Sequence, residues 1–206
     1  MIDLKADHRG LRVMLGALGA VGKKLPPKAS QAINRSLDST RAEMVRLIRA
    51  DYAVKAKEVR DRLFIVHATP ERLEGRIVGR GKRGVPLLRF ARTRRVPSTR
   101  RTKGGGYRPL VGIPVLIRRD RGRIPARGVF LATMGSGHVG AFKRFDQPRR
   151  GSNIGQRYIR EVFGPSPIKL MTEERYFRRV EQYAAATLSA QLERTVGRVL
   201  KERGLA

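Results

Sequence analysis

The sequence predicts an α+β fold: N-terminal helices, a central, mostly antiparallel β-sheet with a long basic arm, and a long C-terminal helix. Three observations predict it. Apolar residues recur at helical spacing over about residues 7–63, the period shortens to that of strands over about 64–145, and helical spacing returns after Thr172. Helices, then a block of strands, then a helix is the α+β order, not an alternating α/β chain. At 206 residues the chain reads as a single domain over 1–206.

Asp7 suits an N-cap, and Leu11, Met14, Leu15, Leu18 and Val21 follow it at helical spacing. The Leu25-Pro26-Pro27 step ends that helix, and Pro27 suits the first turn of a second. The second helix carries Ile33, Leu37, Met44, Leu47 and Ile48 as one stripe, and a third, short helix is expected over 55–63. Runs rich in β-branched and aromatic residues at 64–66, 76–78, 85–90, 110–117, 128–134 and 139–145 are expected strands. Residues 159–167 read as a turn. Thr172 is the expected cap of the last helix, over about 172–203, with Glu173 and Glu174 in its positive first turn. Phe177, Val180, Ala184, Leu188, Leu192, Val196 and Leu200 form its stripe. Such a stripe must be buried, and self-association through the strand block and this helix is the expectation.

Charge narrows the function. The chain has 46 basic and 17 acidic residues, a formal +29. Such self-repulsion predicts a polyanion, an acidic protein partner, or both. The bases are 35 Arg and 11 Lys, which favours forked contacts with phosphates or carboxylates. No cysteine is present, which excludes disulfides, thiolate nucleophiles and cysteine-based metal sites. No segment approaches the ~20 apolar residues of a spanning helix, so no membrane partner is expected. Asp3 and Asp7 beside the apolar run at 13–22 argue against a signal peptide, and the cytoplasm is the expected place of synthesis and assembly.

Residues 76–127 hold 17 Lys or Arg, with Asp120 the only acid. Within them the stretch 91–108 lacks apolar periodicity and carries Arg92, Arg94, Arg95, Arg100, Arg101, Lys103 and Arg108. This is the basic arm. Its arginines either neutralise phosphates of a passing nucleic acid or pair with acids on adjacent subunits. The reading favours the subunits slightly. Tyr107 is its one aromatic, so base stacking is poorly supplied and any nucleic-acid contact should be blind to sequence.

Catalytic patterns are missing. Gly79-x-Gly81-x-x-Gly84 and Gly135-x-Gly137-x-x-Gly140 match a dinucleotide fingerprint, yet neither opens a helix, and turn glycines explain both. His8, His67 and His138 stand far apart with no metal-ligand spacing. Gly-x-Ser-x-Gly is absent, and Glu173-Glu174 is explained by the helix dipole. No catalytic residue, cofactor or metal is expected.

From Ile124 a set of motifs appears in order: Ile124-Pro125-Ala126-Arg127-Gly128-Val129-Phe130-Leu131, then Gly137-His138-Val139-Gly140-Ala141-Phe142-Lys143-Arg144, then Ile159 to Ser166 ending in Gly164-Pro165-Ser166, and an amphipathic helix. Upstream stand Ala32-Ile33-Asn34-Arg35 and a Val59-x-x-Arg62-Leu63 stretch. Over about residues 28–202 the chain resembles the minor tail protein Z, or tail completion, family of long-tailed bacteriophages. Those proteins pair an R-I-P-G-A-F-I strand with a G-H-x-G-x-F-x-R strand and follow them with a G-P-S turn. Here Ala126-Arg127-Gly128 replaces the Pro-Gly-Ala step.

The resemblance implies a structural virion protein, not an enzyme. It implies a place in the tail or neck at the head-proximal end, as a homo-oligomer in a hexameric ring. Its partners would be the tail terminator and head–tail connector proteins around the DNA channel, with non-specific contact to duplex DNA. It marks Phe130, His138, Phe142, Arg144, Gly164 and Pro165 as a structural motif, with Phe142 in the core and Arg144 held near the Gly164-Pro165 turn. The rival reading is a ribosome- or nucleoid-associated protein that binds DNA or RNA without sequence preference, and a nuclease stands third.

Overall fold

The computed structural model describes residues 25–81, 83–91, 112–145 and 159–202. The elements are α1 (Leu25–Asp51), α2 (Ala56–Arg60), β1 (Leu63–Val66), β2 (Arg76–Gly79), a 3-10 turn (Leu87–Phe90), β3 (Ile113–Val115), β4 (Ile124–Ala126), β5 (Val129–Thr133), β6 (Val139–Arg144), β7 (Ile159–Glu161), α3 (Pro167–Met171) and α4 (Glu174–Lys201). The class is α+β. Among the described residues the strands form three antiparallel sheets where one was expected: β1–β2, β3–β4 and β5–β6–β7. The helix expected over 7–21 lies outside the described residues.

The chain folds as two compact units, each assembled from separate stretches of sequence. A helical unit takes described residues 25–48, 56–81 and 168–202, and a sheet unit takes 49–55, 83–91, 112–145 and 159–167.

In the helical unit, Pro26 and Pro27 occupy the first turn of α1, where a missing N–H leaves no helix bond unmade. Ala29, Ile33, Leu37, Thr40, Met44 and Ile48 are buried at steps of three and four, the repeat that brings one helix face to the core. In α4 Tyr176, Val180, Leu188 and Val199 are buried, while Phe177, Ala184, Leu192 and Val196 of the expected stripe are half-buried. Lys28 Nζ near the start of α1 meets Glu202 Oε1, just past the end of α4, at 3.1 Å. The β1–β2 hairpin turns Leu63 and Ile77 inward and leaves Phe64 and Val66 exposed, with the Arg80 guanidinium 4.8 Å from the Phe64 ring centroid.

Three expectations are corrected here. Thr172 does not cap α4; its Oγ1 donates to the Lys169 carbonyl at 2.6 Å and closes α3, while Glu173 accepts the first bonds of α4 from the N–H groups of Tyr176 and Phe177. Residues 85–90 are not a strand: Val85 to Leu87 is extended, and the chain then coils into the 3-10 turn that buries Leu87 and Phe90. Residues 159–167 are not a turn throughout, since they open with β7 paired to β6. The strand expected over 128–134 forms as β5, and residues 124–131 divide between β4 and β5. They break at Arg127-Gly128, where Gly128 takes φ +71°, so that β4 pairs with β3 and β5 pairs with β6.

In the sheet unit, β5 and β6 form a hairpin closed by Gly135-Ser136-Gly137. Met134 donates to His138 at 2.8 Å, Gly137 donates back to Met134 at 2.8 Å, and Gly137 adopts φ +79°. This is the three-residue hairpin loop with glycine in the left-handed position. Beyond β7, residues 84–87 run antiparallel to 162–165. Gly164 donates to Val85 at 2.7 Å and Leu87 donates to Val162 at 2.9 Å. A β-carbon at Gly84 would collide with the Gly164 carbonyl; the glycine permits the approach.

Candidate functional site

The motif residues at 138, 140, 142 and 144 are spaced by two, so a strand places all of them on one face. This face carries His138, just ahead of β6, and Gly140, Phe142 and Arg144 of β6, with Phe130 of β5 and Glu161 of β7 both opposite Phe142. Phe142 is buried. Its ring lies 6.4 Å from that of Phe130, and His138 meets it edge-on at 6.2 Å. A β-carbon at Gly140 would stand 2.9 Å from the Phe142 ring and 3.1 Å from Glu161 Oε1, so the ring and the carboxylate fold over the glycine. Glu161 Oε1 is buried and accepts no well-aligned hydrogen bond. His138 Nε2 lies 3.2 Å away and pairs with it when the imidazole is protonated.

Arg144 is not held at the Gly164-Pro165 turn. Its guanidinium stands 5.4 Å from the centroid of the Phe130 ring, because residue 144 shares the aromatic face and the turn lies beyond β7. Gly164 instead supports Phe90, whose ring would strike a β-carbon at Gly164, and Pro165 accepts from Val85 at 3.3 Å. The assembly sets the Phe142 ring over Gly140 and one acid, Glu161, beside His138.

The upstream motif is also structural. Ala32 and Ile33 are buried, and Asn34 clamps the buried Ala68 from both sides. Its Nδ2 donates to the Ala68 carbonyl at 3.0 Å, and its Oδ1 accepts from the Ala68 N–H at 2.8 Å. Val59 and Leu63 are buried, while Arg62 between them reaches back to the Glu58 carbonyl at 2.5 Å.

A second feature was not singled out in the sequence. The loop from β3 to β4 reads Arg118-Arg119-Asp120-Arg121-Gly122-Arg123. Arg118 forks onto Asp120 at 2.9 and 2.8 Å and stands 5.9 Å from the Tyr52 ring centroid. These hydrogen bonds from Arg118 hold the Asp120 carboxyl below the usual carboxylate range and raise the guanidinium pKa. Arg119 Nε donates to the Arg49 carbonyl in the last turn of α1 at 2.8 Å, and its N–H donates to Asp51 at 2.9 Å. A cation is well placed at that helix end. Arg121 and Arg123 are exposed and make no hydrogen bond or ion pair among the described residues, and the same is true of Arg127.

The basic arm, with Arg92, Arg94, Arg95, Arg100, Arg101, Lys103 and Arg108, lies outside the described residues. Among the described residues no three metal-ligating side chains come together, and no helix is long and apolar enough to cross a membrane.

Residues 9–203 match the family described as prophage minor tail protein Z (GPZ). The chain belongs to this family. No curated protein and no solved structure gives a significant match. As a minor tail protein Z the chain has a structural role in a phage tail, and so in the virion. For this minor tail protein the aromatic face, the Asn34 clamp and the Gly84–Gly164 approach are the framework, and the braced arginine loop is the exposed, chemically uncommitted feature.

Proposed function

We propose that this minor tail protein Z is a subunit of a homohexameric ring at the head-proximal end of the tail. The ring joins the tail to the head–tail connector and meets the tail terminator around the DNA channel. The family match over residues 9–203 carries the reading. Charge supports the place within the tail: a ring of copies at +29 each is tolerable only against DNA or acidic neighbours. The role is structural, without catalysis, and the basic arm at 91–108 contacts neighbouring subunits.

Cryo-electron microscopy of tails carrying a tagged copy tests the position. Density for the tag is expected at the head-proximal end, and density along the tube or at the distal tip would contradict the reading. Sizing chromatography with light scattering at high salt tests the ring, with the mass of six chains expected and a monomer at all concentrations contradicting it.

A further inference from the structure

The geometry points to the β3–β4 loop and the following turn as a contact for the duplex DNA backbone, made by Arg121, Arg123 and Arg127. The loop divides its arginines into two pairs by role. Arg118 and Arg119 are bound inward, to Asp120, to the Tyr52 ring and to the carbonyl end of α1. They fix the loop. Arg121 and Arg123 flank Gly122, at φ +66° with open space around it, and project from a base already ordered. Preorganisation of this kind lowers the entropy lost when the guanidinium groups are bound.

The same surface extends along β4. Arg123 and Arg127 flank β4 at its two ends, and Pro125 between them lies opposite Pro114 of β3. All four are exposed. The one acid within 112–127, Asp120, is held by Arg118.

The partner is a phosphate backbone, not a protein. Protein interfaces gather several aromatic or large aliphatic anchors at their centre; β4 exposes one aliphatic side chain, Ile124, and Pro125 alternates to the opposite side from it. Nucleic-acid interfaces are polar and strongly cationic. Three exposed guanidinium groups, unpaired among the described residues, match phosphates, which accept forked hydrogen bonds without regard to sequence. No side chain here is placed to read base edges. The inference rests on the proposed place beside the DNA channel, but its test is independent of that place.

The experiment uses the full chain and a short blunt duplex of mixed sequence, with affinity measured across a salt series. Three proteins are compared: wild type, Arg121→Ser/Arg123→Ser/Arg127→Ser, and a charge-matched control, Arg35→Ser/Arg179→Ser/Arg194→Ser, altered on exposed helical positions. Circular dichroism checks that all three are folded. The loop variant is expected to lose about 0.9 of the log–log salt slope for each phosphate contact removed, with equal losses on duplexes of different sequence. The control should keep the wild-type slope. Equal slopes in loop variant and control would overturn the inference, as would a loop variant that keeps DNA affinity but loses binding to an acidic neighbouring tail protein. A chain found away from the head-proximal end, yet showing the loop-specific loss, would refute the ring position and leave the DNA contact standing.

Discussion

The two units of the molecule hold the same kind of charge in opposite ways. Over its described residues the helical unit has 17 basic and 11 acidic side chains, and the sheet unit has 12 and 3. In the helical unit several acids and bases neutralise one another locally: Asp38 with Arg41, Glu43 with Arg46, Glu58 with Arg62, Glu174 with Arg178. These pairs sit three or four residues apart on helices, where side chains meet without long-range folding. In the sheet unit Asp120 is tied within its own loop, and Glu161 is shut against His138 beneath an aromatic ring. The difference shows that net charge is a poor guide to where a basic protein binds. What matters is where exposed cations gather without a free acid beside them: Arg121, Arg123 and Arg127 fall within seven residues whose neighbouring acid, Asp120, is already held by Arg118, whereas Arg35, Arg179 and Arg194 are exposed singly on helices.

The comparison also concerns what holds each unit, and mutations can break it. With few acids available, the sheet unit depends on packing at its aromatic face. Phe142→Ala should cost about 3–5 kcal/mol, the usual range for emptying a buried aromatic site. Hydrogen exchange should show protection lost in β5 and β6; loss concentrated in α1 and α4 would contradict that assignment. Asn34→Ala should cost about 2 kcal/mol, because it strands the buried N–H and carbonyl of Ala68. Asn34→Asp keeps only the acceptor and should recover part of the loss in chemical denaturation. Gly140→Ala should cost about 1–2 kcal/mol by pushing the Phe142 ring off the strand, and a neutral result would mean that the ring turns aside freely.

The smallest effect is expected at Asp120. Its carboxyl titrates below the ordinary range because Arg118 hydrogen-bonds to the ionised form. A depressed folded value means that the brace is complete above the unfolded carboxylate pKa and is lost as pH falls through the depressed one. Asp120→Asn should remove that acid-side dependence and raise exchange of the Arg119 amide, with little change in global melting. A large fall in melting temperature would show that the loop supports the unit rather than resting on it.

Much of this was legible in the sequence, for identifiable reasons. The long helices announce themselves by burial every three or four residues, as at Ile33, Leu37, Met44 and Ile48. The β5–β6 hairpin does so by alternation and a glycine-rich turn. The spacing of His138, Gly140, Phe142 and Arg144 already implied a shared face. Short elements were not legible. β4 pairs Pro125 with Pro114, and proline argues against a strand until its partner is known. β7 is Ile159-Arg160-Glu161, whose composition carries no strand signal and whose conformation comes from pairing with β6. Residues 85–90 are an apolar run without alternation, a pattern that fits strand and turn alike. The braced loop was hidden because Arg118 and Arg121 look identical in sequence; only tertiary contacts separate the anchored cation from the exposed one.

The central claim is that the uncommitted cations of the sheet unit are the ones this minor tail protein presents to its surroundings. Arginine-selective modification, read by mass spectrometry, tests it on the free chain and on assembled tails. Arg121, Arg123 and Arg127 should react in the free chain and be protected in tails, while Arg35, Arg179 and Arg194 react alike in both. Protection of the helical-unit arginines, with the sheet-unit arginines as reactive in tails as in the free chain, would contradict the account.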